Sequence, residues 1–223
     1  MVNIYVAEIA HLPDPIECPK CMKGLSVERR DKIRRQKVAL KRKQSLGAGL
    51  LLKYALLQRG IALQRFFMGE NGKPEVEGAC FNLSHSGNLV ICAVSEKPVG
   101  CDVEKIEEAS DKVLKRIATI KEKNYYEQFA GEERNRAFYR LWTMKESYSK
   151  MTGEGMRMDL KRVEFLQEES MRVFLNGKLS NCMIKEYEID GYAITVCAEE
   201  NVFAERLEYV ELGGMISGKE NIF

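Results

Sequence analysis

In the heptapeptide VGCDVEK (residues 99–105), Asp102 and Glu104 stand two residues apart. In an extended strand that spacing turns both carboxylates to one face, while Val99, Cys101 and Val103 turn to the other. Carboxylates so close repel, and keeping both ionised calls for a metal cation, for lysines or for open water. The plainest alternative is a solvated strand end with Glu104 near Lys105. A second stretch, LWTMKESYSKM (residues 141–151), reads as helix with Leu141, Met144, Tyr148 and Met151 in one apolar stripe. Glu146 and Lys150 lie one turn apart and nearly opposite that stripe. On a free surface they form a pair worth about a few tenths of a kcal/mol. Facing a cleft, Glu146 adds a third carboxylate to Asp102 and Glu104. Three oxygen donors without histidine or cysteine suit magnesium, which keeps waters and shares its shell with a phosphate.

The segment NLSHSGN (residues 82–88) holds His85, one of two histidines. A serine-protease triad does not fit: Ser84 and Ser86 flank the imidazole in sequence, where neither can present a hydroxyl across a cleft, and no nucleophile elbow surrounds them. Two readings stay open, a structural histidine at a strand end and a histidine that binds phosphate.

These groups need elements to hold them. Ser26 is a good N-cap with Glu28 in the first turn, and VERRDKIRRQKVALKRK carries nine basic and two acidic residues without glycine or proline, so the pattern predicts a helix. Leu50, Tyr54 and Leu57 share a face and carry that helix through LLLKYALLQ to Gly60. ENGKP is a turn by composition. ACFNLSH and NLVICAV are strands joined at Ser86-Gly87-Asn88, and EKP leads into VGCDVEK, which completes an antiparallel meander. Helix returns between Asp111 and Met151. VEFLQEESMRVFL and NCMIKEYEIDGYAITVCAE predict two hairpins, the second turning at Asp190-Gly191, and GGMISGKENIF a frayed tail.

The order strand, helices, strands, helices, strands is that of one α+β unit used twice. LVICAVSE (residues 89–96) and AITVCAEE (residues 193–200) echo each other as apolar strands containing Cys-Ala and ending in acid. The division falls near residues 105–110, giving units 1–106 and 107–223, tightly packed because no low-complexity linker separates them.

At 223 residues, 45% hydrophobic and 30% charged, the chain has ordinary globular composition. Its net charge of +2 hides an asymmetry: residues 1–60 carry +8 and the remainder −6, so one end is built to meet anions. The start lacks the features of a signal peptide, and no run approaches the roughly 18 apolar residues of a membrane span. Seven cysteines, an odd count without a framework, predict free thiols in a reducing compartment, hence a cytoplasmic protein. The pair in CPKC, Cys18 and Cys21, has half a zinc site's spacing but only His11 nearby, and reads as a loop with two thiols.

FNLSHSG, VGCDVEKI and LWTMKESYSKMTGEG, in that order and with GKP (residues 72–74) as a fourth point, resemble the 4′-phosphopantetheinyl transferases of the larger, surfactin-synthetase-activating (Sfp) type. The match runs from about Ser26 to Gly155. Cys101 stands where the family prefers Ile or Val, and Arg29 where lysine is common; neither departure removes a functional group. The resemblance implies a monomer of two similar α+β subdomains related by a pseudo-twofold axis, with the site in the cleft between them. It implies transfer of the phosphopantetheine arm of coenzyme A to a serine of an apo acyl or peptidyl carrier protein, with release of 3′,5′-ADP. Carried over by position, Asp102, Glu104 and Glu146 would hold Mg²⁺, or Mn²⁺ in its place, together with the pyrophosphate. Glu146 would be the general base, and Lys150 would neutralise or protonate the leaving group. Ser84, His85, Arg29, Lys32 and Lys43 would bind the phosphates, Lys73 and Pro74 would border the adenine or its phosphate, and Gly100 would keep a side chain out of the cleft. The carrier would meet the helices at about 111–135.

Two other classes compete with this expectation. One is a nucleic-acid-binding or nuclease-like protein, its basic helix on the backbone and its acidic cluster on a catalytic metal, against which the basic stretch lacks interleaved aromatics. The other is a coenzyme A-binding protein without turnover, against which stand Asp102, Glu104, Glu146 and Lys150. Neither nucleic acid nor membrane is expected as a partner.

Overall fold

The computed structural model describes residues 1–61, 66–69, 74–167 and 170–217. Along the chain run β1 (Asn3–Glu8), α1 (Val27–Arg35), α2 (Ala39–Gln58), β2 (Phe66–Met68), β3 (Pro74–Val76), β4 (Cys80–Ser86), β5 (Leu89–Ser95) and β6 (Val99–Lys105). There follow α3 (Asp111–Ile117), α4 (Ile120–Tyr126), α5 (Gly131–Thr152), β7 (Val163–Gln167), β8 (Met171–Leu175), β9 (Lys178–Leu179), β10 (Met183–Ile189), β11 (Tyr192–Ala198), β12 (Glu208–Tyr209) and α6 (Leu212–Ser217). No helix among the described residues is long and apolar enough to cross a membrane.

Two sheets carry the fold, one ordered β12-β1-β5-β4 and the other β10-β11-β6. In each, the central strand is antiparallel to both neighbours: β5 to β1 and β4, β11 to β10 and β6. The two echoing sequences are these central strands, and each sheet backs onto one long helix. Val90, Cys92 and Val94 of β5 pack with Leu46, Leu50 and Leu51 of α2. Between the sheets, Val2, Ile4, Val6 and Ile91 meet Val99, Cys101, Val103, Ile194 and Val196. The architecture is therefore α+β with two similar halves, α2 and α5 outside and apolar strand faces inside. A smaller sheet, β7-β8-β9, covers the apolar stripe of α5, where Met144, Tyr148 and Met151 pack on Phe165 and Val173.

Several expectations need correction. The long basic helix is two helices broken at residues 36–38. Ile33 and Leu46 both enter one core, yet thirteen residues along a straight helix would leave them about 140° apart, so the chain must turn. Arg42 fills the break: Nη1 donates to the carbonyls of Gln36 (3.0 Å) and Lys37 (2.8 Å), while Nε donates to Asp14 Oδ1 (2.8 Å). The meander also fails at its third strand, because both edges of β5 are taken by β1 and β4. After the β4–β5 hairpin, β6 crosses to the other sheet and pairs with β11. Residues 99–105, grouped with the first half on sequence, thus hydrogen-bond within the second half's sheet. Residues 213–217 of the expected tail belong to α6, because Met215 and Ile216, with Leu212 just before them, pack on the first core.

Candidate active site

The alternation read from VGCDVEK holds: Val99, Cys101 and Val103 enter the core between the sheets, and Asp102, only 2% exposed, faces the other way. What meets that other face is α5, and it comes close. A Cβ on Gly100 would overlap the carbonyl oxygen of Ser147 and the amide nitrogen of Met151 and lie 3.0 Å from Met151 Cα. Gly100 therefore permits contact between strand and helix backbones, a different reason from keeping a cleft open. Small residues complete the approach: Thr143 and Thr195 hydroxyls are 2.8 Å apart, and Ser147 Oγ is 3.0 Å from Cys197 Sγ.

The same approach delivers Lys150 to β6. Its ammonium donates to Asp102 Oδ1 (2.5 Å), Ser84 Oγ (3.0 Å) and the carbonyl of Cys101 (3.2 Å). Burial works to lower the Lys150 pKa, but the charges of Asp102 and Glu146 outweigh it and hold the ammonium above its ordinary value. Burial pushes the Glu146 carboxyl up, and the charge of Asp102 adds to that shift while Lys150 opposes it. Glu104 is likewise raised, first by burial and then by Asp102, against hydrogen bonds from Ser86 and Trp142 and the charge of Lys150. The three carboxyl groups thus share one electrostatic neighbourhood with one lysine.

A polar ladder on β4 holds β6 from the side. Asn82, Ser84 and Ser86, alternate residues on one strand face, reach across in register. Asn82 Oδ1 accepts from the Cys101 amide (3.1 Å), Ser84 Oγ donates to Asp102 Oδ1 (2.7 Å), and Ser86 Oγ donates to Glu104 Oε2 (2.7 Å) while accepting from the Lys105 amide (3.1 Å). His85 points the opposite way, toward the basic helices. Its pKa falls to about 4, mainly by burial, with the charges of Lys41, Lys32 and Lys150 adding to the fall, and its buried Nδ1 has no partner. Lys32 is itself lowered by burial and by neighbouring Arg29, and Arg29 is lowered by burial.

Asp102, Glu104, Glu146, Lys150 and Ser84 are thus brought together, with His85, Lys32 and Arg29 beside them on the basic side. Lys43 is not drawn in; its ammonium lies 3.3 Å from the Ala10 carbonyl. Pro74 opens a short ribbon strand opposite Met68, with its ring exposed. Lys73 lies outside the described residues. Sequence reasoning missed Ser86 and Trp142, the chain's single tryptophan, although both sit inside quoted motifs. It also missed Lys41, one of nine cations with nothing in sequence to single it out. A fourth omission is structural: fully buried Lys145 donates to Glu122 Oε2 (2.8 Å) and to the carbonyls of Leu160 (3.0 Å) and Val163. Glu122 also accepts from the amides of Thr119 (2.7 Å) and Phe165 (2.9 Å), tying α4, α5 and β7 together.

Among the described residues no group of three or more His, Cys, Asp or Glu side chains is arranged to hold a metal ion. The donor set nonetheless fits a divalent cation. Asp102 Oδ2 is buried without a hydrogen-bond partner, and its charge raises two neighbouring carboxyls, the imbalance a hard cation would relieve.

A family model described as the 4′-phosphopantetheinyl transferase superfamily matches residues 98–197, which contain the carboxylates, Lys150 and Trp142. The chain is 34% identical to 4′-phosphopantetheinyl transferase Sfp of Bacillus subtilis (strain 168) over 204 residues, 87% of this chain and 91% of the relative. It is 32% identical to 4′-phosphopantetheinyl transferase ffp of Bacillus subtilis over 212 residues, covering 90% and 93%. A further Bacillus subtilis 4′-phosphopantetheinyl transferase is 30% identical over 201 residues, covering 85% and 88%.

Proposed function

Because the chain belongs to the 4′-phosphopantetheinyl transferase superfamily, with Sfp-type relatives along most of its length, we propose that it moves the phosphopantetheine arm of coenzyme A onto a serine of an apo carrier protein and releases 3′,5′-ADP. The observation that carries this reading is the lysine–carboxylate array at the contact of α5, β6 and β4, with a basic flank one strand face away. An acceptor serine needs a base, a diphosphate ester needs charge neutralised, and the array holds groups suited to both.

In this reading Asp102, Glu104 and Glu146 would hold Mg²⁺, and the ion would supply charge neutralisation for the pyrophosphate. Glu146 takes the proton of the carrier serine, a role favoured by the burial that raises its basicity. Lys150, kept cationic by its carboxylate neighbours, meets the leaving 3′,5′-ADP and donates a hydrogen bond or a proton to it. Ser84 and Ser86 orient Asp102 and Glu104. His85, neutral at physiological pH, offers hydrogen bonds to a ligand phosphate while Arg29, Lys32 and Lys41 supply positive charge. Positioning and electrostatics supply most of the rate. The carrier meets the helical segment 111–135; a cavity of about 560 Å³ beside it, lined by Tyr125, Phe129, Leu141, Met144 and Phe165, supports an apolar contact there. The protein works as a cytoplasmic monomer.

Incubation with coenzyme A, Mg²⁺ and a panel of apo carrier proteins tests the reading by intact mass. One or more carriers gain the phosphopantetheine arm and 3′,5′-ADP appears in equal amount. Coenzyme A binding without mass gain on any carrier would favour a non-catalytic binder. Salt-sensitive binding to duplex nucleic acid with indifference to coenzyme A would favour the nucleic-acid class.

A further inference from the structure

Cys18 and Cys21 have no part in the chemistry above, and their geometry is not that of two unrelated loop thiols. Cys18 precedes a single helical turn, Pro19–Met22, and the Cys21 amide donates to the Cys18 carbonyl at 2.9 Å. A turn closed from residue i to i+3 holds its end Cα atoms within about 7 Å, and a disulfide spans Cα separations of about 4.4–6.8 Å. Pro19 fixes its own φ and gives up no hydrogen bond at the first position of the turn. The turn is anchored from behind: the amides of Glu17 and Cys18 donate to the Asp14 carbonyl (3.0 and 3.1 Å), and the Asp14 carboxylate is gripped by Arg42.

The two sulfurs differ in access. Cys18 is partly exposed, whereas Cys21 is 2% exposed and belongs to the core that includes Leu25 and Ile33. Burial, with the hydrogen bond and charge of the adjacent Cys18 adding to it, pushes the Cys21 thiol up to about 12, so it stays protonated and Cys18, the more exposed sulfur, is the one that can enter first. Of the other five cysteines, Cys92, Cys101, Cys182 and Cys197 are buried, and Cys80 lies on strand β4.

We infer that Cys18 and Cys21 are a redox-active dithiol, Cys18 the entering thiol and Cys21 the resolving one, which a small disulfide such as oxidised glutathione converts to an intrachain disulfide. The Cys18 thiolate attacks one sulfur of glutathione disulfide, breaks its S–S bond and releases one glutathione thiolate. The resulting mixed disulfide is attacked at the Cys18 sulfur by Cys21, whose proton passes to the departing second glutathione. Two protein thiols are oxidised to one disulfide, and one glutathione disulfide is reduced to two thiols.

The test equilibrates the full-length reduced protein with excess glutathione disulfide, quenches with acid, alkylates under denaturing conditions and maps every cysteine by mass. The peptide carrying residues 18 and 21 should lose both alkylation sites and two hydrogens, at a rate about 100-fold above that at Cys92, Cys101, Cys182 and Cys197. In Cys21→Ala, Cys18 should retain a stable glutathione adduct; in Cys18→Ala, Cys21 should stay reduced. If both wild-type thiols remain alkylatable, or if the two variants take up glutathione equally, the assignment is wrong. The wild-type map decides the matter even if Cys21→Ala does not fold.

Discussion

Replacing Gly100 with alanine asks whether the approach of α5 to β6 sets the chemistry. The added methyl would meet the backbone of Ser147 and Met151, including Met151 Cα at 3.0 Å, and backbone atoms of a helix cannot swing aside as a side-chain tip can. Non-bonded heavy atoms in contact normally keep about 3.5–4.0 Å, and the overlap with the Ser147 carbonyl oxygen is the most severe of the three, so strand and helix must part by about 1 Å or more. Overpacking of this kind costs about 1–3 kcal/mol of folding stability. Lys150 neighbours Met151, and its reach to Asp102 (2.5 Å), Ser84 (3.0 Å) and the Cys101 carbonyl (3.2 Å) has little slack. A retreat of that size puts the longer two beyond the roughly 3.2 Å limit of a good hydrogen bond, and misplacing a catalytic group by about 1 Å costs about 100-fold. Gly100→Ala is therefore expected to lower kcat/KM for carrier loading about 100-fold, mostly in kcat, and to lose about 1–3 kcal/mol in urea unfolding. Loading within twofold of the parent, or unchanged unfolding, would refute the reasoning.

Breaking the buried pair through Lys145→Met should cost about 3–5 kcal/mol in denaturant unfolding, and Lys145→Met with Glu122→Leu should recover part of that, since no lone charge is then left inside. His85→Ala should raise the KM for coenzyme A about tenfold with kcat nearly unchanged, checked by steady-state loading, because its ring faces the lysines and not the carboxylates. Between about pH 6.5 and 4 the unfolded chain binds a proton that folded His85 refuses, so its stability contribution is whole above about pH 6.5 and falls away as pH drops toward 4. Discounted for the ring's partial exposure, the loss should be about 1–3 kcal/mol, and His85→Gln should lack it when unfolding is compared at about pH 4.5 and pH 7.

Local alternation and capping were legible in the sequence. Asp102 and Glu104 could be placed on one strand face, and Ser26 caps α1 by accepting from the Arg29 amide at 3.2 Å. The hairpin turn at Gly87, with φ of 52°, was also readable. The partner of β6 was not. VGCDVEK alternates equally well beside β5 or β11, and what excludes β5 is that β1 occupies its second edge, a contact between residues far apart in sequence. The break between α1 and α2 was hidden because no glycine or proline marks it; Asp14, twenty-eight residues before Arg42, helps to hold it. Within the site, the carboxylates and Lys150 were visible as residue types at telling spacings. Ser86 was placed in the turn and Lys145 was not singled out at all, since only packing shows that one orients Glu104 and the other is sealed from water.

The central claim is that Asp102, Glu104, Glu146 and Lys150 together transfer the arm of coenzyme A. It is tested most directly by single-turnover loading of an apo carrier, followed by intact mass across a Mg²⁺ titration, for the parent and Asp102→Ala. Mg²⁺-dependent loading by the parent is expected, with a loss of about 1,000-fold or more in a variant whose circular dichroism and core packing match the parent. A folded Asp102→Ala variant that loads the carrier at the parental rate would contradict the account.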